Sequence, residues 1–134
     1  MLKVVVIDSN AISRNLLTTV LTNGGYEVVG DASPSSAGLA SMARLKPQIV
    51  CIDIGNPDEE GWGRIDALRS DLPKAVLFMV SGQMSPDTVQ DALSRGVHGF
   101  IVKPFNALTV LATIRNTIVK LARQHRKATV GDAA

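Results

Sequence analysis

Asp8, Asp53, Ser81 and Lys103 each close a short apolar run. VVVI precedes Asp8, IVCI precedes Asp53, AVLFMV precedes Ser81, and FIV precedes Lys103-Pro104. Two carboxylates, a hydroxyl and an ammonium form a set that can hold a divalent cation and a phosphoryl group. Paired carboxylates repel each other unless a cation intervenes. Oxygen ligands beside a phosphate favour Mg2+, which accepts one or two carboxylates and keeps several waters. Lys103 would supply a point charge for phosphoryl oxygens, and Ser81 could donate a hydrogen bond to one. An aspartate in such a place can attack phosphorus and carry a carboxyl phosphate.

The four runs are continuously apolar and rich in Val and Ile, the pattern of parallel strands buried on both faces. Helical patterns separate them, so the alternation predicts a three-layer α/β sandwich with a parallel sheet. Ligands in such sheets bind outside the carboxyl ends of the strands, which is where all four polar residues fall. Right-handed crossovers leave two common strand orders, and both make the first and third strands neighbours at the switch point. Asp8 and Asp53 then face one crevice.

The elements follow from local signals. Strand one is expected over about 3–8, and the first helix over 11–23 with Ile12, Leu16, Leu17, Val20 and Leu21 as its buried stripe. Asn23-Gly24-Gly25 ends that helix. Residues 26–30 read as strand two. Ser33-Pro34 reads as an N-cap and first helical position, opening a helix that reaches about Lys46. Residues 48–53 form strand three, a polar loop covers 55–61, and the third helix is predicted from Trp62 to about Ser70. Ser85-Pro86-Asp87 opens the fourth helix and Gly96 ends it. Strand five covers 100–102. The last helix runs from Asn106 to about Gln124 with Leu108, Leu111, Ile114, Ile118 and Leu121 inward, before a frayed tail from Lys127.

The bulk numbers bound the class. A length of 134 residues, 46% hydrophobic and 19% charged, fits one globular domain, expected over 1–125 with a short basic tail at 126–134. The lone Cys51 lies inside a strand pattern, which excludes an internal disulfide and a thiolate zinc cluster and favours a packing role. No apolar stretch is long enough to span a bilayer, and the amino terminus enters a strand without a signal-peptide pattern, so a cytoplasmic location is the expectation. Net charge is only +2, but its distribution is uneven. Residues 53–71 carry six acids, whereas from Ala92 onward there are seven bases and the single acid Asp132. His98 and His125 lack metal-ligand spacing and read as structural.

VVVIDSNAISR, PQIVCIDIGNP followed by Gly61, FMVSG and GFIVKPF together resemble the receiver domain of bacterial two-component response regulators. The resemblance covers the chain in order up to about Gln124. It implies the flavodoxin-like (βα)5 strand order 2-1-3-4-5. It further implies that Asp53 is the phosphoacceptor, loaded by a sensor histidine kinase or a phosphotransfer protein, and that Asp8 belongs to a Mg2+ site completed by Asp53 and the Gly55 carbonyl. Ser81 would be the switch hydroxyl, Lys103 the phosphate contact, Phe100 the switch aromatic, and Lys103-Pro104 a cis bond. Such a domain is not an enzyme in the usual sense, although it can promote its own phosphorylation and dephosphorylation. Its fourth helix, fifth strand and fifth helix would meet a downstream protein, as a monomer or a phosphorylation-dependent dimer. In receivers that dimerise through that face a basic residue is common where this chain has Thr113, which argues against that dimer.

One position departs from the family. Two consecutive acids normally follow the first strand, and here the second is Ser9. A hydroxyl is a neutral and poorer Mg2+ ligand, holding the ion weakly or through water. The missing charge corresponds to ~4 kcal/mol of Coulomb energy at contact with an effective dielectric near 20, before desolvation. Ser9 therefore supports an alternative, a pseudo-receiver that keeps the fold as an interaction module with little phosphoryl chemistry. Gly55 and Gln83 occupy positions that tune phosphoryl lifetime in the family. Nucleotide or flavin binding lacks support, because the turn after strand one has neither GxGxxG nor GxxxxGK[ST]. Direct nucleic-acid binding through Arg115, Lys120, Arg123, Arg126 and Lys127 reads more simply as a solvated basic face, and no output domain is expected within these residues, whether they are a separate protein or an excised receiver.

Overall fold

The first, third and fourth strands are largely buried on both faces, which is why each reads as an unbroken apolar run, whereas the second and fifth, at the sheet edges, are only partly buried. A computed structural model describes residues 1–133, with side chains described through Arg126. The element order is β1 (Lys3–Ile7), α1 (Ala11–Asn23), β2 (Glu27–Ala32), α2 (Ser36–Arg44), β3 (Ile49–Ile52), α3 (Glu59–Asp71), β4 (Val76–Ser81), α4 (Pro86–Ser94), β5 (Gly99–Val102) and α5 (Ala107–Ala133). All pairings are parallel in the order β2-β1-β3-β4-β5, the flavodoxin-like doubly wound arrangement.

Alternate residues of each strand serve two apolar layers. Val5, Ile7, Val50, Ile52, Leu77 and Met79 pack on the α2–α3 side with Met42, Ile65 and Leu68, and Ala92 is the buried residue of α4 there. Val4, Val6, Cys51, Phe78, Val80 and Ile101 pack on the other side with Leu17 and Leu21 of α1 and Val110 and Ile114 of α5. Cys51 is fully buried, as its strand setting predicts, and burial pushes its thiol up to about 12.

Several local expectations shift. α1 has the expected bounds and Gly25 adopts φ +92° just beyond it, but only Leu17 and Leu21 of the expected stripe are fully buried; Ile12 is 81% exposed and Leu16 49%. The same happens in α5, where Leu108 is 81% exposed and Val110 occupies the core instead. Ile12 and Leu108 lie in the first turns of their helices, whereas Leu16 lies in the second turn of α1. α2 is capped by Ser35, whose hydroxyl accepts from the Gly38 amide at 3.0 Å, and not by Ser33. α3 begins at Glu59, inside the segment read as loop, because the Asp58 carboxylate accepts from the Gly61 amide at 3.0 Å and Glu59 and Glu60 suit a helix start. Strand two lies at 27–32 instead of 26–30, and α5 continues to Ala133 instead of ending near Gln124. The side chains of the expected frayed tail from Lys127 lie outside the described residues. Among the described residues no helix is long and apolar enough to cross a membrane.

Candidate functional site

Hydrogen bonding between neighbouring strands continues one residue past their ends and sets the polar residues side by side. The Asp8 amide donates to Ala32 C=O at 3.0 Å, the Asp53 amide to Ile7 C=O at 2.9 Å, and the Lys103 amide to Ser81 C=O at 2.9 Å. The resulting cleft has a volume of about 570 Å3 and is lined by Asp8, Ser9, Asn10, Asp53, Gly55, Asn56, Ser81, Gln83 and Lys103, with Ser85 and Thr88 at the start of α4.

Lys103 is its centre. The ammonium lies 2.8 Å from Oδ2 of Asp8 and 2.8 Å from Oδ2 of Asp53. Burial by itself would lower the Lys103 pKa, but hydrogen bonds and charge from Asp53 and Asp8 outweigh it and hold the ammonium above the ordinary lysine value. The remaining carboxylate oxygens are also fixed. Asp8 Oδ1 accepts from the Asn10 amide at 2.8 Å, and Asp53 Oδ1 from the Gly55 amide at 2.8 Å. Asp8 is only 4% exposed, so its charge depends on these partners. The Lys103-Pro104 peptide bond is cis, as expected.

Residues that local patterns do not single out shape the rim. Arg14 donates to the Asp8 carbonyl at 2.7 Å and, through Nε, to Asp31 at 3.1 Å. Arg64 donates to the Ile54 carbonyl at 2.7 Å and holds the backbone just after Asp53. Gly61 sits against the Asn56 carbonyl so closely that any Cβ would collide with it, which fixes the course of the loop after Asp53. No local pattern announces the bonds from Arg14 and Arg64 to the Asp8 and Ile54 carbonyls, since those acceptors are backbone groups.

Ser81 is engaged locally. Its hydroxyl donates to the Gln83 carbonyl at 2.7 Å and accepts from the Gln83 amide at 3.1 Å. Phe100 is half-buried and packs on the α2–α3 side of the sheet. Trp62, where the third helix is expected to begin, is buried in that same layer with the Arg95 guanidinium 5.2 Å above its ring. His98 and His125 lie away from the cleft lining.

The donor set is hard oxygen throughout: two carboxylates, the Ser9 hydroxyl and the carbonyls of the adjoining loop. It suits Mg2+, which needs only one or two carboxylates and keeps water. Among the described residues no group of three or more His, Cys, Asp or Glu side chains assembles, and the position beside Asp8 is Ser9. Lys103 occupies the charge-balancing role between the two carboxylates.

A family model described as "Response regulator receiver domain" matches residues 4–115. The chain belongs to the response regulator receiver family. It is 31% identical over 112 residues to the chemotaxis protein CheY of Thermotoga maritima, covering 84% of this chain and 93% of that protein. The CheY of Listeria monocytogenes is 30% identical over 114 residues, covering 85% and 96%. Among solved structures, the chemotaxis response regulator CheY4 of Vibrio cholerae superposes with a TM-score of 0.76 at 28% identity, covering 87% of this chain and 98% of that one. The receiver is thus a CheY-like signalling domain of the two-component type, and not a classical enzyme. Receiver domains as a family act as phosphorylation switches, generally with Mg2+, between histidine kinases or phosphotransfer proteins and downstream effectors.

Proposed function

We propose that this receiver accepts a phosphoryl group on Asp53 from a phosphohistidine of a sensor kinase or phosphotransfer protein. A carboxylate oxygen of Asp53 forms a bond to phosphorus as the N–P bond breaks, and the departing imidazole takes up a proton. The observation that carries the reading is the Lys103 ammonium, 2.8 Å from both Asp8 and Asp53 at one open cleft. Mg2+, when bound by Asp8, Asp53, the Gly55 carbonyl and Ser9 directly or through water, supplies positive charge for the phosphoryl oxygens. Lys103 adds a charge-assisted hydrogen bond to the same group. Ser81 reaches a phosphoryl oxygen only after releasing the Gln83 carbonyl, and its movement leaves space for Phe100 to pack further inward.

The readout surface in this proposal is α4-β5-α5, where Leu93 is 47% exposed, Val102 59%, and Phe100, Val102, Thr109 and Thr113 line a cavity of about 190 Å3. A downstream protein would dock there, with the receiver acting as a monomer or as a phosphorylation-dependent dimer. Gln83 lines the cleft where it could position water, and Gly55 offers no side chain to do so.

Ser9 favours one further reading, a pseudo-receiver whose interactions do not need phosphorylation. Incubation with acetyl phosphate and Mg2+, followed by intact-protein mass measurement beside Asp53→Asn, separates the two. A single phosphoryl adduct on the parent and none on the variant is the expected result. Equal labelling of both would remove Asp53 from its role, and no labelling of the parent, with a kinase-supplied control also blank, would leave the pseudo-receiver.

A further inference from the structure

At the end of the sheet opposite the cleft, a histidine side chain takes the place of a backbone acceptor. Leu77 of β4 is fully buried, and its amide donates to Nδ1 of His98 at 3.1 Å. The His98 amide returns a bond to the Leu77 carbonyl at 2.8 Å. His98 therefore closes a two-bond ring between the start of β4 and the residue that leads into β5. Nδ1 can accept only while it carries no proton, so the bond requires the neutral imidazole with its hydrogen on Nε2.

The surroundings of that imidazole are cationic. From α3, the guanidinium of Arg69 lies beside it and donates to the carbonyls of Leu72, Pro73 and Ala75 at 3.0–3.3 Å and of Gly96 at 2.6 Å. From α5, Lys120 lines the same cavity of about 330 Å3 with Asn116, Thr117 and Gln124, and no carboxylate lines it. From α4 and its following loop come only Leu93 and Val97, and β4 presents backbone. Burial, and then the Arg69 charge, lower the His98 pKa from its ordinary 6.5.

We propose that His98 is a proton-sensitive latch holding the α4–β5 junction to β4, closed at neutral pH and released by acid. Protonation turns Nδ1 from acceptor to donor, so the buried Leu77 amide loses its partner while a second positive charge is set beside Arg69. The sign follows from linkage. The folded protein holds the neutral imidazole below the pH at which the unfolded chain protonates it. The stabilisation is therefore complete above about pH 6.5 and lost as pH falls through the lowered folded value. The latch is independent of phosphoryl chemistry, since neither Asp53 nor Lys103 touches it.

The test compares the parent with His98→Asn, whose side-chain oxygen can stand where Nδ1 stands but does not titrate. Nitrogen-15 NMR of the parent should show the Nε2–H tautomer at pH 7.5 and a His98 titration below pH 6.5. Each unit of that displacement should appear as a tenfold rise in the unfolding constant between pH 7.5 and acid. The Leu77 amide should also lose protection from hydrogen exchange over the same range. In His98→Asn both changes should flatten, with His125 still present as an internal background. A His98 that titrates at or above 6.5, a protonated Nδ1 at pH 7.5, or an equal pH slope in the variant would overturn the latch. The NMR arm uses the parent alone, so it decides the question even if the variant does not fold.

Discussion

Two cavities of about 570 Å3 lie at opposite ends of the sheet, and they differ in everything except volume. The one at the amino-terminal edge is lined chiefly by Leu2, Pro47, Ile49, Leu72, Ala75 and Ile118, with Lys46, Lys74 and Asp71 also in its lining. The one at the carboxyl-terminal edge gathers Asp8, Asp53, Ser81 and Lys103. Each end also has a semi-buried cation, and the contrast between them is instructive. Arg69 donates to four backbone carbonyls, partners that cannot change protonation or leave. Lys103 bridges two carboxylates, partners that a divalent cation or a phosphoryl group can take over. The first arrangement fixes the fold, whereas the second leaves a charge balance that chemistry can alter. Parallel strands make this asymmetry possible, because their carboxyl ends all open into loops on one side.

Arg69→Met should produce the largest loss of stability. It strips four carbonyls of a charged donor, at ~1–3 kcal/mol for each buried group left unsatisfied. Water should reach the more exposed of these acceptors, so a net loss of about 3 kcal/mol is expected in urea unfolding, with Mg2+ affinity unchanged. A loss near zero would dissolve the distinction between the two cations. Lys103→Met should behave differently. With its ammonium gone, Asp8 and Asp53 face each other uncompensated, so the variant should be destabilised without metal and regain stability as Mg2+ is added. The increase in melting temperature with Mg2+ should exceed that of the parent; an equal increase would mean that Lys103 does not share the cation's place. Because Lys103 is held above its usual pKa, its contribution persists through neutral pH and is lost only as pH rises through the raised folded value, above about 10.5. Ser9→Asp should have the smallest effect, tightening Mg2+ binding about tenfold by calorimetry, well below the contact estimate of ~4 kcal/mol, which leaves out desolvation. No change would show that the Ser9 side chain lies outside the metal's reach.

The central strands were legible because burial on both faces leaves an unbroken apolar signature, and the four polar residues were legible because they end apolar runs; the edge strand β2, only partly buried, was placed less well. Helix starts were less so. Asp58-Glu59-Glu60 is a good cap and first turn, but Asn56-Pro57 before it and Gly61 and Gly63 within it mask the helix. Gly61 is tolerated there because the approach of Asn56 demands it. Ile12 and Leu108 share the period of buried neighbours, and periodicity alone does not say where the covering layer begins. Arg69 and His98 were the least legible. The acceptors of Arg69 come from the end of α3, the start of β4 and the α4–β5 loop, and the donor to His98 lies 21 residues away.

The sequence by itself determined the parallel α/β architecture, the placement of Asp8, Asp53, Ser81 and Lys103 at strand ends, and the absence of a second acid at Ser9. These are local properties, carried by apolar runs, caps and residue identity. Only the tertiary structure decided that one ammonium bridges both carboxylates, that Ser81 is held by Gln83, and that Arg69 and His98 bind the opposite edge together. Those facts depend on which carbonyls and carboxylates meet after the crossovers close. That meeting is set by packing across the whole sheet, not by neighbours in the chain.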